Sequence, residues 1–79
     1  MRIYDFNGKK NICGNRVKEA RKRLGLSQDT LAARLQVEGV NIERDSVSRI
    51  EIGTRFVADY EILALCKVLG VSAEYLLKL

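Results

Sequence analysis

A chain of 79 residues makes one small domain, with little room for a deep substrate cavity. Its net charge is +4, and 47% of its residues are apolar, too many for a disordered chain. There is no histidine, and the two cysteines, Cys13 and Cys66, stand far apart, so a tetrahedral Cys/His zinc site within one chain is excluded and no metal or cofactor is expected.

The amino terminus, MRIYDFNGKK, carries no long apolar stretch behind its charges, so no secretory leader is expected. The longest strongly apolar run, Ile62 to Cys66, is far too short to cross a bilayer. The cysteines read as buried or half-buried thiols in a reducing cytoplasm. Residues 1–11 read as an arm, in which Ile3-Tyr4-Asp5-Phe6 is the one stretch with strand-like alternation and Ile3, Tyr4 and Phe6 pack on the helices. Residues 12–79 read as the domain proper, without proline and with apolar residues at helical spacing.

The first helix is predicted from Ile12 or Asn15 to Leu24, with Val17, Ala20 and Leu24 as its apolar stripe and Gly25 as its stop. Ser27 caps a second helix that buries Leu31, Ala32 and Leu35 and ends near Glu38 and Gly39. After a connector from Val40 to Glu43, a third helix runs from about Arg44 to Ile52, with Val47 and Ile50 inward and Gly53 as its stop. The fourth, about Asp59 to Leu69, is apolar on more than one face and is expected to be central and most buried. Gly70 ends it, and Ser72 caps a short fifth helix through Leu77. The sum is an all-α chain, a compact five-helix bundle.

Charge is unevenly placed. Residues 1–23 hold eight basic residues against two acidic, and residues 24–79 hold six against eight. Such asymmetry suggests a basic face for a polyanion; the plain alternative is a solvated helix face. An anionic membrane surface would need a broad apolar face on the basic helix, where apolar positions are few.

Three segments, GNRVKEARKRLGLSQDTLAARL, DSVSRIEIGTR and ILALCKVLGVSAEYLL, taken in order, resemble the Cro/repressor (xenobiotic-response-element) family of helix-turn-helix proteins. The resemblance spans Gly14 to Leu77 and implies a phage-repressor type of DNA-binding domain. One departure is a longer connection between helices two and three, with the extra residues between Gln36 and Arg44; it leaves the start of the third helix open by a residue or two.

The resemblance implies a transcriptional regulator, a repressor above all, that reads a double-stranded operator with helix three in the major groove. Its base-reading positions fall on Arg44, Asp45, Ser46, Ser48 and Arg49, the same arc left outward when Val47 and Ile50 turn inward. Gln28, at the start of helix two, matches a glutamine that commonly holds a phosphate; Arg16, Thr54 and Arg55 are further phosphate candidates. Arg21 on helix one matches an arginine paired with the glutamate ending helix three, here Glu51, and can also present nitrogen to a phosphate. Lys18, Lys22 and Arg23 supply long-range field. A minor-groove arm through Arg2, Lys9 and Lys10 is a weaker reading.

A homodimer is expected, with Tyr75, Leu76 and Leu79 either forming its contact or closing the monomer core. Competing readings are an antitoxin-type autoregulator and a protein-interaction module that kept the fold. Asp29, Glu38, Glu43, Asp45 and Glu51 keep the module open; Arg44, Arg49 and the basic first helix argue against it. No enzyme is expected, for want of a nucleophile–base constellation, and no small-molecule ligand is evident.

Overall fold

Glycine turns divide the chain into five helices among the residues described, 6–79, by the computed structural model: α1 (Gly14–Arg23), α2 (Gln28–Val37), α3 (Arg44–Ile52), α4 (Asp59–Leu69) and α5 (Ala73–Leu77). The expected all-α bundle is therefore the observed one. The arm residues Arg2, Ile3 and Tyr4, and most of the strand-like stretch, lie outside the described residues. Phe6 itself pairs with Lys9 in a single antiparallel bridge around Asn7-Gly8 and is exposed.

Local chemistry sets the helix starts. Ser27 Oγ accepts from the Thr30 N–H at 3.0 Å, and Ser72 Oγ accepts from the Tyr75 N–H at 3.0 Å. Each bond satisfies one of the donors a helix start leaves orphaned. The stops share one geometry. At the end of α3 the Thr54 N–H reaches back to Arg49 O at 2.9 Å and the Gly53 N–H bonds Ile50 O at 3.1 Å, with Gly53 at φ +96°. This paired closure needs a left-handed residue, which glycine adopts without a Cβ clash.

Two expectations need correction. Leu24 does not complete the stripe of α1: it is 49% exposed. The helix closes one residue earlier, the Leu26 N–H folds back on Arg21 O, and the inward place is taken by Arg21 beside Val17 and Ala20. Nor is α4 buried on every side. It packs on α1, α2 and α5 and buries Ala64, Leu65 and Leu69, while Leu63 is 71% exposed and Tyr60 64%. Hydropathy registers how apolar a helix is, not whether an element covers its far side.

The core is continuous from Cys13 and Val17 through Leu31, Leu35, Val47 and Ile50 to Leu65 and Leu76. The lengthened connection belongs to it. Val40 and Ile42 are buried, and Gln36 Nε2 donates to Ile42 O at 2.8 Å, so the extra residues are tied down and α3 begins at Arg44. Among the described residues no helix is long and apolar enough to cross a membrane.

Candidate nucleic-acid interface

Helix α3 packs on α1 and α2 through Val47 and Ile50, which are almost fully buried. The opposite arc presents Arg44, Asp45 and Arg49 exposed, with Ser46 and Ser48 half-buried at its edges. The five expected base-reading residues thus share one face. Arg44 spans to α2, its Nε 3.7 Å from Asp29 Oδ1, with a second contact at 3.9 Å to Asp45. All three side chains are more than half exposed, so these long pairs are screened and contribute little; the guanidinium can leave them for a stronger acceptor.

Behind this face sits a charged network that fixes α3 to the scaffold. Arg21 meets Glu51 bidentately, Nε to Oε2 at 2.6 Å and NH2 to Oε1 at 3.0 Å. Its remaining nitrogen, NH1, donates to Leu26 O at 2.8 Å. The side chains are 10% and 3% exposed, respectively. The Glu51 hydrogen bonds raise the Arg21 pKa further, against the opposing effect of burial. Gln28 joins as a third member: its Nε2 donates to Glu51 Oε1 at 3.1 Å. One carboxylate near the end of α3 therefore ties α1 and the start of α2 into a unit with it. The link from Gln28 to Glu51 has no signal in the sequence, because it joins residues 23 apart whose meeting depends on how α2 and α3 cross.

The remaining phosphate candidates separate. Thr54 is exposed at the end of α3, with its N–H bonded to Arg49 O. Arg55 turns away from α3 toward the start of α4, where NH1 and NH2 reach Glu61 at 2.9 and 3.1 Å and NH1 also bonds Phe56 O. Glu61 accepts in addition from the Ala58 N–H at 2.9 Å, which caps α4. Burial pushes the Glu61 carboxyl up, but the Arg55 and Ala58 hydrogen bonds outweigh it and hold the group below its ordinary range. The Arg55–Glu61 pair was missed in the sequence; its one trace is a glutamate at the third position of a helix whose capping residue is an alanine. Arg16 lies against α5, its NH1 on Tyr75 O at 3.0 Å and its guanidinium 4.7 Å from the Tyr75 ring centre. Tyr75 completes that contact with a hydroxyl bond to Glu19.

Of the expected pairing surface, Leu76 is fully buried and closes the monomer core, Tyr75 is folded onto α1, and Leu79 remains exposed. Cys13 is buried and Cys66 half-buried, and burial raises both thiol pKa values. Among the described residues no group of side chains is arranged to hold a metal ion.

A helix-turn-helix domain model matches residues 13–78. The structure is similar to that of the restriction-modification controller protein C.AhdI from Aeromonas hydrophila, with a TM-score of 0.70 and 35% identity over 80% of this chain and 88% of that one. Comparison with curated protein sequences found no match. The family match takes in all five helices, including the buried connection between α2 and α3. The chain belongs to the helix-turn-helix domain family and is a DNA-binding regulator.

Proposed function

We propose that the protein is a transcriptional regulator that reads a near-palindromic operator as a two-fold dimer, with α3 of each copy in the major groove. The observation that carries this reading is the exposed polar arc of α3, Arg44 to Arg49, held from behind by Arg21, Glu51 and Gln28. A helix so held keeps its side chains in fixed register against base edges. Arg49 and Arg44 are the guanine readers, Asp45 an acceptor for a cytosine amine, and Ser46 and Ser48 shorter-reach contacts.

Gln28 and Thr54 flank the arc as phosphate contacts. Gln28 keeps one amide hydrogen and its carbonyl beyond the bond to Glu51, so the same side chain can steady the network and meet the backbone. Arg21 and Arg55 act chiefly through Glu51 and Glu61, and Arg16 through α5. The dimer follows from selectivity: a single module of this size covers only about 600–1,000 Å² of surface on DNA, and two copies one turn apart multiply the readout. The similarity to a restriction-modification controller protein supports a regulatory role.

Selection of bound sequences from random DNA tests the reading. A consensus with two related half-sites supports it; binding without any enriched sequence refutes base reading by α3.

A further inference from the structure

Residues 9–11 run across the carboxyl end of α3 and hold it at successive points. Lys9 Nζ donates to Ile52 O at 2.9 Å, and the Lys10 N–H donates to Gly53 O at 2.8 Å. Asn11 Nδ2 bridges two carbonyls, Ile50 O at 3.1 Å and Arg55 O at 2.8 Å. The same side chain accepts through Oδ1 from the Gly14 N–H at 2.9 Å, in the first turn of α1. One amide therefore joins the start of α1, the end of α3 and the loop that follows it.

The packing leaves no slack. A Cβ at Gly14 would stand 2.1 Å from Ile50 O, and one at Gly53 would stand 2.5 Å from the Lys9 side chain. Gly14 lets the positive end of α1 abut the carbonyl end of α3, where the two helix dipoles attract. Ile52 is among the carbonyls a helix end leaves without an intrahelical partner, and Ile50 O takes Asn11 Nδ2 as a second donor beside the Gly53 N–H. The inward Ile50 directly follows Arg49, the last residue of the outward arc, and Arg55 directly follows Thr54.

We propose that Asn11 is a positioning residue for DNA reading: its two Nδ2 bonds set the pose of α3 and the register of the Thr54-Arg55 loop against it. Lys9 acts in the same direction from the neighbouring carbonyl. Neither side chain needs to touch DNA for this effect. The inference rests on base reading by α3 and names what holds the reader in place.

The test compares affinity for the duplex that wild-type protein selects with affinity for an unrelated duplex of equal length at the same salt, well below the melting temperature. The ratio cancels general effects of charge, and a role confined to stability leaves it unmoved. Asn11→Asp keeps an acceptor for Gly14 but sets a carboxylate oxygen against the two carbonyls. Its ratio is expected to fall about tenfold, the size of one misplaced base contact. Lys9→Met keeps the stem over Gly53, drops the bond to Ile52 O, and is expected to lower the ratio about threefold, a fraction of one base contact. A folded Asn11→Asp protein with the wild-type ratio overturns the proposal. Should that variant not fold, an unchanged ratio in Lys9→Met overturns it. A wild-type protein with no preference between the duplexes removes the reading by α3 itself, a failure visible before any variant is compared.

Discussion

Removing either partner of the Arg21–Glu51 pair should destabilise the fold, and the two losses should be unequal. In Arg21→Ala the Glu51 carboxylate, 3% exposed in the native protein, keeps only the Gln28 donor. In Glu51→Ala the guanidinium, 10% exposed, keeps its bond to Leu26 O and lies nearer solvent. Breaking a fully buried pair costs about 3–5 kcal/mol. We expect about 4 kcal/mol for Arg21→Ala and about 3 kcal/mol for Glu51→Ala on that scale. In a domain of this size the smaller loss lowers the melting temperature by roughly 12–24 °C. The double variant should lose less than the two single losses together, by about 1–3 kcal/mol, because it strands no charge. Urea melts of the four proteins in a double-mutant cycle measure this. Additivity within about 0.5 kcal/mol would mean that the two side chains act independently and that this pair does not hold α3 to α1.

Arg49→Ala should cost about 1–3 kcal/mol on the preferred duplex and relax the preference at one base pair, read by competition against single-base variants of the site. Gln28→Ala should weaken binding to all duplexes by similar factors and also lower stability by about 0.5–1.5 kcal/mol through the lost bond to Glu51; a change of preferred sequence would contradict its role. Leu76→Ala should cost about 2–5 kcal/mol of folding stability, and a variant as stable as wild type but unable to pair would contradict its place in the core. The Glu61 carboxyl, held below its ordinary range when folded, contributes stability above the unfolded carboxylate pKa and loses it as pH falls through the folded value. The stability gap between wild type and Glu61→Gln should therefore narrow in urea melts taken from neutral pH down into the acid range, and a gap that widens there would contradict the sign.

Helix starts and stops were legible because their signals are local. Ser27 and Ser72 cap helices a few residues ahead of them, and Gly53 stops α3 through bonds to residues four and three before it. The inward pair Val47 and Ile50 follows from helical spacing, which leaves the outward arc with its five polar residues. The early stop of α1 shows the limit: extending the stripe to Leu24 ignored the backbone fold that Gly25 imposes on the preceding turn. What covers a helix is not local either, so nothing in the run from Ile62 to Cys66 marks Leu63 as exposed. The partners of Arg16, Asn11 and Gln28 lie 59, 39 and 23 residues away, and only the packed helices bring them together. A lone arginine at position 55 reads as a phosphate contact until Glu61 is seen beneath it.

If α3 reads DNA sequence from its outward arc, removing Arg49 changes the sequence that is read. Parallel selections from random duplexes with wild-type protein and with Arg49→Ala measure this. The expected result is a wild-type consensus of two inverted half-sites about 10 base pairs apart, centre to centre, which in Arg49→Ala becomes degenerate at the matching position of each half. The same consensus from both proteins, or none from either, would contradict it.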